Sequence, residues 1–466
     1  MTETTTDDTP QTSGPNFLVL GLATALVTAL AFAGGFFFGP GNGPAPVETS
    51  AARVVPEAPA DAFPVRTCSI AAPVASSKLG AATVYVMNAD TDETLYQFGA
   101  EPTVPMGSVM KVITAATALK VLGPDARLTT RVVAGSQPGS VILIGGGDPT
   151  LSAGRGSVYS GAPLLSDLAE QTVAAYADAF PDADPISHVI VDVSLFPVED
   201  AWHSSWPKSE RTNGYQPLIV PLMVDGDRAN PTKATSARSK DPVGKAAQAF
   251  ADALQAAGAG DGETDITISY GSAPNNATKL ASVSSQPVSK LVAQMLPNSD
   301  NTLAEMLLRA VSVKLGSGGT ADSLQQVVVS TMTTIDVDFS DGKIIDGSGE
   351  SPDIRINPAP LAKLLDTVFS DAGDLAVIAK SLPVAGESGT LSGRFDGDAK
   401  VARGHVTAKT GWINGVYALA GQIVAADGTK LIAIVVATGD VSDSAKAAID
   451  NVFAGAYTCG NNLASY

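Results

Sequence analysis

The sequence predicts an α/β fold in which an antiparallel five-stranded sheet with packed helices carries an inserted α/β region and follows one transmembrane helix. Strand-like runs at 82–87 and 94–98 open the folded part, and three more at 405–409, 416–424 and 430–436 close it. Because turn residues separate the runs within each group, we expect all five strands to pair antiparallel in one sheet. Between the groups, strand and helix patterns alternate, which indicates a region of its own.

The composition and length leave room for two or three domains. The chain has 466 residues, of which 45% are hydrophobic and 16% are charged, as is usual for folded proteins. We place the inserted region, as one or two subdomains, at residues 127–277 and the main domain at 68–126 and 278–466. A stretch at 202–231, rich in Pro, Asn, Gly and Ser, is expected to be an irregular connection.

The first 67 residues predict a tail, a membrane anchor and a linker. Residues 1–15 are polar and acidic, which is typical of disorder. Residues 16–39 contain no charged residue, and as a helix they would extend roughly 36 Å, enough to cross a bilayer. Since a cleavable signal peptide has a basic front and a shorter apolar core, we favour an uncleaved anchor. The proline-rich segment 40–67 is expected to form a semi-rigid linker.

The charge and the metal-binding residue types exclude several functions. A formal net charge of -18 and a pI near 4.5 disfavour nucleic acid as a partner. His188, His203 and His405 lie far apart, and the sequence has no Cys-x-x-Cys motif, so we expect no metal site. The glycines at 145–147 lack the rest of a phosphate-binding motif, and we therefore expect no cofactor.

The two cysteines, Cys68 and Cys459, lie near opposite ends of the predicted main domain. Two free thiols and one disulfide are both compatible with the sequence. In an exported protein a bridge between these positions is the favoured alternative.

A serine and a lysine open the apolar, helix-like segment 104–119. Ser108 and Lys111 are three residues apart, which places both side chains on one face of the first helical turn. A neutral lysine at that position can accept the hydroxyl proton of the serine, so the pair fits a nucleophile and its base. The structural alternative is a serine that caps the helix and a lysine that faces water.

Two further tripeptides strengthen the catalytic interpretation of Ser108 and Lys111. Ser299-Asp300-Asn301 lies between two predicted helices, and Lys409-Thr410-Gly411 closes a predicted strand before a hairpin-like turn at 411–415. Each tripeptide alone is typical of a cap or a strand end. Ser-x-x-Lys, Ser-Asp-Asn and Lys-Thr-Gly in this order are the signature of serine β-lactamases and penicillin-binding proteins.

With these motifs the sequence resembles the D-alanyl-D-alanine carboxypeptidases of the penicillin-binding-protein 4 type, the S13 peptidase family, over roughly residues 81–457. The long separation between Lys111 and Ser299 is consistent with this resemblance, since members of the family carry extra domains inserted between these two motifs. The resemblance implies a penicillin-binding, transpeptidase-like fold outside the cell membrane, with peptidoglycan stem peptides as substrates and β-lactams as covalent inhibitors. Further matching segments lie at 145–151, 346–349, 381–386 and 389–391.

The resemblance also implies a role for each residue of the site. The expected catalytic residues are Ser108, Lys111, Ser299, Asn301 and Lys409, and the expected substrate-binding residues are Thr410, Gly411 and Trp412. Ser108 would form an acyl-enzyme with Lys111 as its base, and Ser299 would relay a proton to the leaving amine. Asn301 would bond the substrate amide or orient Lys111. Lys409 and Thr410 would hold the terminal carboxylate, and the backbone N–H groups of Ser108 and Trp412 would stabilise the oxyanion.

Three residues depart from the family pattern. Gly107 replaces a usual alanine, which we expect to be harmless, Glu350 replaces an apolar residue, and Trp412 replaces a threonine or serine that helps to hold the carboxylate. Two other functions therefore stay open beside a D,D-carboxypeptidase or endopeptidase. One is a β-lactamase, which the long insertion disfavours. The other is a catalytically slow wall-binding or scaffolding protein, which the tryptophan favours.

Overall fold

The computed structural model of the chain describes residues 65–99, 102–154, 156–260 and 265–465. Within these residues there are ten strands: β1 (Ala81–Asn88), β2 (Thr94–Phe98), β3 (Thr129–Ala134), β4 (Ser140–Ile144), β5 (His188–Asp192), β6 (Thr267–Tyr270), β7 (Lys279–Ser284), β8 (Val406–Ile413), β9 (Val416–Val424) and β10 (Lys430–Thr438). The α-helices of the same residues are α1 (Ala71–Val74), α2 (Met110–Val121), α3 (Leu165–Ala179), α4 (Ser209–Asn213), α5 (Pro242–Ala256), α6 (Val288–Asn298), α7 (Asn301–Lys314), α8 (Leu324–Thr333), α9 (Pro358–Ser370), α10 (Ala376–Ser381) and α11 (Ser444–Cys459).

The first sheet joins the two ends of the described chain, as the sequence predicts. Its strand order is β2-β1-β10-β9-β8, and all four pairings are antiparallel. Side chains of β10 alternate between two cores: Ile432 and Ile434 face the core with α2, whereas Leu431 and Ala433 face the core with α11. This period of two is the pattern expected for a sheet covered by helices on both faces. The predicted antiparallel five-stranded sheet is thus confirmed.

The second sheet lies within the middle of the chain and has the order β6-β5-β4-β3-β7. β4, β5 and β6 are parallel, and β3 pairs antiparallel with both β4 and β7. Helices α3 and α5 pack on this sheet around Leu168, Phe250 and Val189. Strand β7, which the sequence analysis assigned to the main domain, pairs with β3 in this second sheet. The pattern of a strand does not show which strand it pairs with, so the sequence alone could not place β7 in the second sheet. The predicted division into domains stays a prediction.

The predicted helix after residue 104 begins with a 3₁₀ turn, Gly107–Val109, and continues as α2. Ten of the 12 residues of α2 are buried, including Lys111, Thr114 and Thr117. The helix is buried on nearly all sides because it lies between the first sheet and helices α6, α7 and α8. Ser108 therefore lies at the junction of a rigid helix and a short turn.

Strand β8 differs from the prediction that a hairpin turn begins at Gly411. The strand continues through Trp412 to Ile413, because Gly411 pairs with Ala418 and Trp412 with Tyr417 in the ladder to β9. A Cβ atom on Gly411 would lie 2.0 Å from the carbonyl oxygen of Met106. This glycine is thus required by a close approach of strand and turn, which the sequence alone presents as a turn signal.

A disulfide joins Cys68 to Cys459, 391 residues apart, with Cα atoms separated by 5.4 Å. Cys459 ends α11, and Cys68 pairs in an isolated bridge with Leu463. The bond therefore ties the start of the described chain to its end. None of the helices in the described ranges is long and apolar enough to span a bilayer. The predicted tail, anchor and most of the linker, up to residue 64, lie outside those ranges.

Candidate active site

Ser108 and Lys111 are in direct contact. Nζ of Lys111 lies 2.7 Å from Oγ of Ser108, and it also donates to Oδ1 of Asn301 at 2.7 Å and to the carbonyl oxygen of Ser348 at 2.6 Å. The lysine has no exposed surface. Three acceptors around one buried amine fix its position, so the amine can exchange a proton with the serine hydroxyl without a change of rotamer.

Burial lowers the pKa of Lys111 from 10.5 to about 8. Desolvation disfavours the ammonium form and is the largest effect. Four carboxylates oppose it and favour the charged form, those of Glu350, Glu305, Asp346 and Asp300. At neutral pH a pKa near 8 leaves roughly a tenth of the lysine as a neutral base.

The second predicted serine and lysine also meet. Nζ of Lys409, on β8, donates to Oγ of Ser299 at 2.9 Å and to the carbonyl oxygen of Thr410 at 3.0 Å. Ser299 joins α6 to α7 and has a left-handed backbone, with φ of 55°. Burial, and then the nearby charge of Lys111, lower the pKa of Lys409 well below its usual value. The two buried amines therefore disfavour each other's charge.

Asn301 connects Lys111 to a carboxylate. Its Oδ1 accepts from Lys111, while its Nδ2 donates to Oε2 of Glu350 at 3.0 Å. Burial, and then repulsion by Glu210, raise the pKa of Glu350 from 4.5 to about 8. The departure of Glu350 from the family pattern thus lies at the site itself.

The last part of the predicted site lies on β8, where the strand passes the turn of Ser108. Oγ1 of Thr410 lies 2.8 Å from Oγ1 of Thr390. Trp412 is 51% exposed and lines the cleft. A Cβ on Gly107, whose φ is +51°, would lie 2.8 Å from the backbone nitrogen of Trp412. The substitution of alanine by glycine at position 107 is therefore coupled to this strand.

These residues line a cleft of about 260 Å³. A second groove of about 420 Å³ shares Thr390, Thr410 and Trp412 with the cleft, so the two are continuous along β8. Lys111 and Lys409 lie beneath this surface without exposure. The lining of the cleft comprises Ser108, Glu210, Gly214, Tyr215, Arg228, Ala234, Thr235, Arg238, Asn298, Ser299, Asp300, Asn301, Glu350, Thr390, Thr410 and Trp412.

Sequence reasoning missed the arginine beneath Asp300. Nη2 of Arg228 lies 2.7 Å from Oδ2 of Asp300, and Nη1 donates to the hydroxyl of Tyr159 at 2.7 Å. Burial opposes ionisation of Asp300, but Arg228 and then Arg238 outweigh it and hold the pKa of Asp300 below 3.8. Oδ1 of Asp300 accepts from the backbone N–H of Leu303 and so caps α7. The segment 202–231, assigned only as irregular, thus supports the loop of Ser299.

The described ranges contain no candidate metal site. No group of three or more His, Cys, Asp and Glu side chains there has an arrangement that could hold a metal ion. The groups that meet at Ser108 are its hydroxyl, the buried amine of Lys111 and the amide of Asn301, and the hydroxyl of Ser299 with the amine of Lys409 lies in the same site.

The fold is that of penicillin-binding protein 4. The crystal structure of that protein from Haemophilus influenzae has a TM-score of 0.66 and 21% identity, and the match covers 83% of this chain and 96% of that one. Its complex with a novel β-lactam has a TM-score of 0.60 and 20% identity, with the same coverage.

The chain belongs to the D-Ala-D-Ala carboxypeptidase 3 (S13) family, whose profile matches residues 68–237 and 227–457. It is therefore a peptidase and a hydrolase. Carboxypeptidase DacB of Mycolicibacterium smegmatis is 33% identical over 95% of this chain and 97% of its own length. The D-alanyl-D-alanine carboxypeptidase of Actinomadura sp. strain R39 is 28% identical over 76% of this chain and 77% of its own.

Proposed function

We propose that the protein is a serine D,D-peptidase that hydrolyses D-Ala-D-Ala termini or D,D-cross-links of peptidoglycan stem peptides through an acyl-enzyme on Ser108. The observation that carries the proposal is the 2.7 Å contact between Ser108 Oγ and the buried amine of Lys111. Membership of the S13 family and the name of the Actinomadura relative support the D-alanyl-D-alanine substrate.

In the acylation step, neutral Lys111 takes the proton of Ser108 as Oγ attacks the carbonyl carbon between the two D-alanines. The backbone N–H groups of Ser108 and Trp412 are the proposed donors to the developing oxyanion, a contribution of about 3 kcal/mol for each donor. Collapse of the tetrahedral intermediate breaks the C–N bond. The proton that Lys111 took passes through Ser299, which Lys409 contacts, to the leaving amine, and Lys111 is neutral again. In deacylation Lys111 takes a proton from water as the water oxygen attacks the ester carbonyl. The C–O bond to Ser108 then breaks, Oγ takes that proton back, and the shortened peptide leaves with a new carboxyl group.

The terminal carboxylate of the substrate is proposed to bind beside Thr410 and Lys409. A bound carboxylate favours the charged form of Lys409, and that charge in turn favours the neutral form of Lys111. Substrate binding would therefore promote the protonation state that acylation needs. Gly411 has no side chain, which allows β8 to lie close to the turn of Ser108.

The test is incubation of the full chain with a β-lactam, followed by mass spectrometry of the intact protein and its peptides. We expect a long-lived adduct on the peptide that contains Ser108 and none in Ser108→Ala. Release of D-alanine from a peptide ending in D-Ala-D-Ala, with the L-Ala-L-Ala peptide as control, tests the substrate. Fast loss of the adduct with hydrolysed drug would indicate a β-lactamase. Absence of both adduct and D-alanine release would leave the wall-binding alternative.

The location of the enzyme is part of the same proposal. Peptidoglycan lies outside the cell membrane, so the peptidase region would lie on that side, held by the anchor at residues 16–39 and the linker at 40–67. Fractionation of cells, with and without residues 1–39, tests it. Membrane association that requires those residues is the expected result.

A further inference from the structure

Glu350 is part of a hydrogen-bonded chain that reaches the candidate nucleophile. Its Oε2 accepts from Nδ2 of Asn301 at 3.0 Å, Oδ1 of Asn301 accepts from Lys111 at 2.7 Å, and Lys111 contacts Ser108 at 2.7 Å. Glu350 lines the cleft together with Ser108 and Asn301. The Ser-Asp-Asn and Ser-x-x-Lys motifs account for every member of this chain except the glutamate.

An amide side chain has two ends that differ in hydrogen bonding but hardly in shape. The oxygen only accepts, and the NH₂ group only donates. An ionised carboxylate only accepts, so above its pKa of about 8 Glu350 can bond only the NH₂ end of Asn301. If the amide were reversed, its oxygen would face the carboxylate and its NH₂ group would face the ammonium group of Lys111. Both hydrogen bonds would be lost together.

We infer that Glu350 is a positioning residue, which holds the amide of Asn301 with its oxygen toward Lys111 and thereby sets the orientation and the charge of the lysine. The inference rests on the proposed function. An apolar side chain at position 350 has no acceptor and could not hold the amide in this way.

The electrostatics of the site support the same role. Burial lowers the pKa of Lys111 to about 8 and raises the pKa of Glu350 to about 8, so the two groups ionise in the same pH range. Among the carboxylates that favour the charged form of Lys111, Glu350 has the largest effect. The other ionisable groups that act on the pair are Glu305, Asp346, Asp300 and Lys409 at Lys111, and Glu210 and Asp346 at Glu350.

The test measures the rate of acylation by a fluorescent penicillin in the full chain, on both sides of pH 8. We compare Glu350→Leu, which removes the acceptor, with Glu350→Gln, whose amide oxygen keeps an acceptor without charge. Glu350→Leu is expected to lower the rate about tenfold, and Glu350→Gln to restore most of it. Because Glu350→Gln also removes the carboxylate that favours the ammonium form of Lys111, the pH at which its rate of acylation rises should be lower than in the unmodified chain. Glu170→Leu, which removes an exposed carboxylate from α3, controls for the loss of charge.

A double-mutant cycle separates this role from general packing. In the Asn301→Ala background, Glu350→Leu should cause no further loss, since the group through which it acts is absent. Independent, multiplicative losses, or an unchanged rate and pH profile in Glu350→Leu and Glu350→Gln, would overturn the inference while leaving the proposed function intact. A lack of acylation in the unmodified chain would instead overturn the proposed function and this inference with it. Glu350→Gln, which is nearly isosteric, gives a decisive pH profile even where Glu350→Leu fails to fold.

Discussion

The backbone nitrogen of Trp412 lies 2.8 Å from the point that a Cβ atom would occupy on Gly107. Gly107 also has a φ of +51°, in the left-handed region that residues with side chains rarely adopt. On its other side, a Cβ on Gly349 would lie 1.9 Å from the carbonyl oxygen of Gly107. The turn of Ser108 is therefore packed between two backbone segments, and this backbone leaves no room for a methyl group on Gly107 or on Gly349.

Gly107→Ala should reduce acylation by a β-lactam at least about tenfold, because the new methyl group displaces the Trp412 N–H that we propose as an oxyanion donor. The rate of acylation, measured by intact mass, checks this. Gly123→Ala is the matched control, since Gly123 also has a positive φ, of +87°, but its Cβ would meet nothing within 4 Å. Equal rates in the two variants would contradict the proposed coupling between position 107 and β8.

Arg228→Met should destabilise the protein by about 3–5 kcal/mol, because it leaves the carboxylate of Asp300 buried without its partner. In the unmodified chain the pKa of Asp300 is lowered, so its contribution is fully present above pH 3.8 and is lost as pH falls through the folded-state pKa. Chemical denaturation measures the change. The double variant Arg228→Met/Asp300→Leu should lose less stability than Arg228→Met alone. A greater loss in the double variant would show that the ion pair is not the cause.

The sequence sufficed for the parts of the site that short motifs and local patterns define. Strands β1, β9 and β10 contain apolar runs bounded by turn residues. Ser108 and Lys111 are three residues apart, so their proximity follows from helical geometry. Arg228 and Glu350 have no such local signal. Their partners lie 72 and 49 residues away in sequence, and only the packing of the chain between them brings each pair together.

Tertiary contacts also explain why α6 and β8 extend beyond residues that often end a helix or a strand. Helix α6 continues through Pro297 to Asn298, although a proline often ends a helix. Strand β8 continues past Gly411 because its ladder with β9 and its approach to Met106 require a residue without a side chain. In each position a residue type that often ends an element is accommodated by tertiary contacts, which a single sequence does not reveal.

Replacement of Cys68 and Cys459 together by serine should lower the free energy of unfolding by about 3 kcal/mol. The bridge closes a loop of 391 residues, and the unfolded chain gains freedom when that loop opens. The melting temperature, measured with and without a reductant, checks the effect. The reductant should lower it in the unmodified chain and leave it unchanged in the double variant. Equal melting temperatures in all four samples would mean that the bridge does not form in solution.

The rate of acylation should rise with pH through about 8, because the proposed base is the neutral form of Lys111, whose pKa burial lowers to about 8. The sign follows from the amine: below its pKa it carries the proton that it would need to accept. Lys111→Arg, which stays charged at every accessible pH, should lower the rate by about 10³-fold. Lys120→Arg, on the exposed end of α2, is the matched control and should keep the normal profile. Burial also lowers the pKa of Lys409 and raises that of Glu350 to about 8, so the rise in rate with pH does not by itself identify Lys111. A fast rate in Lys111→Arg would exclude Lys111 as the base.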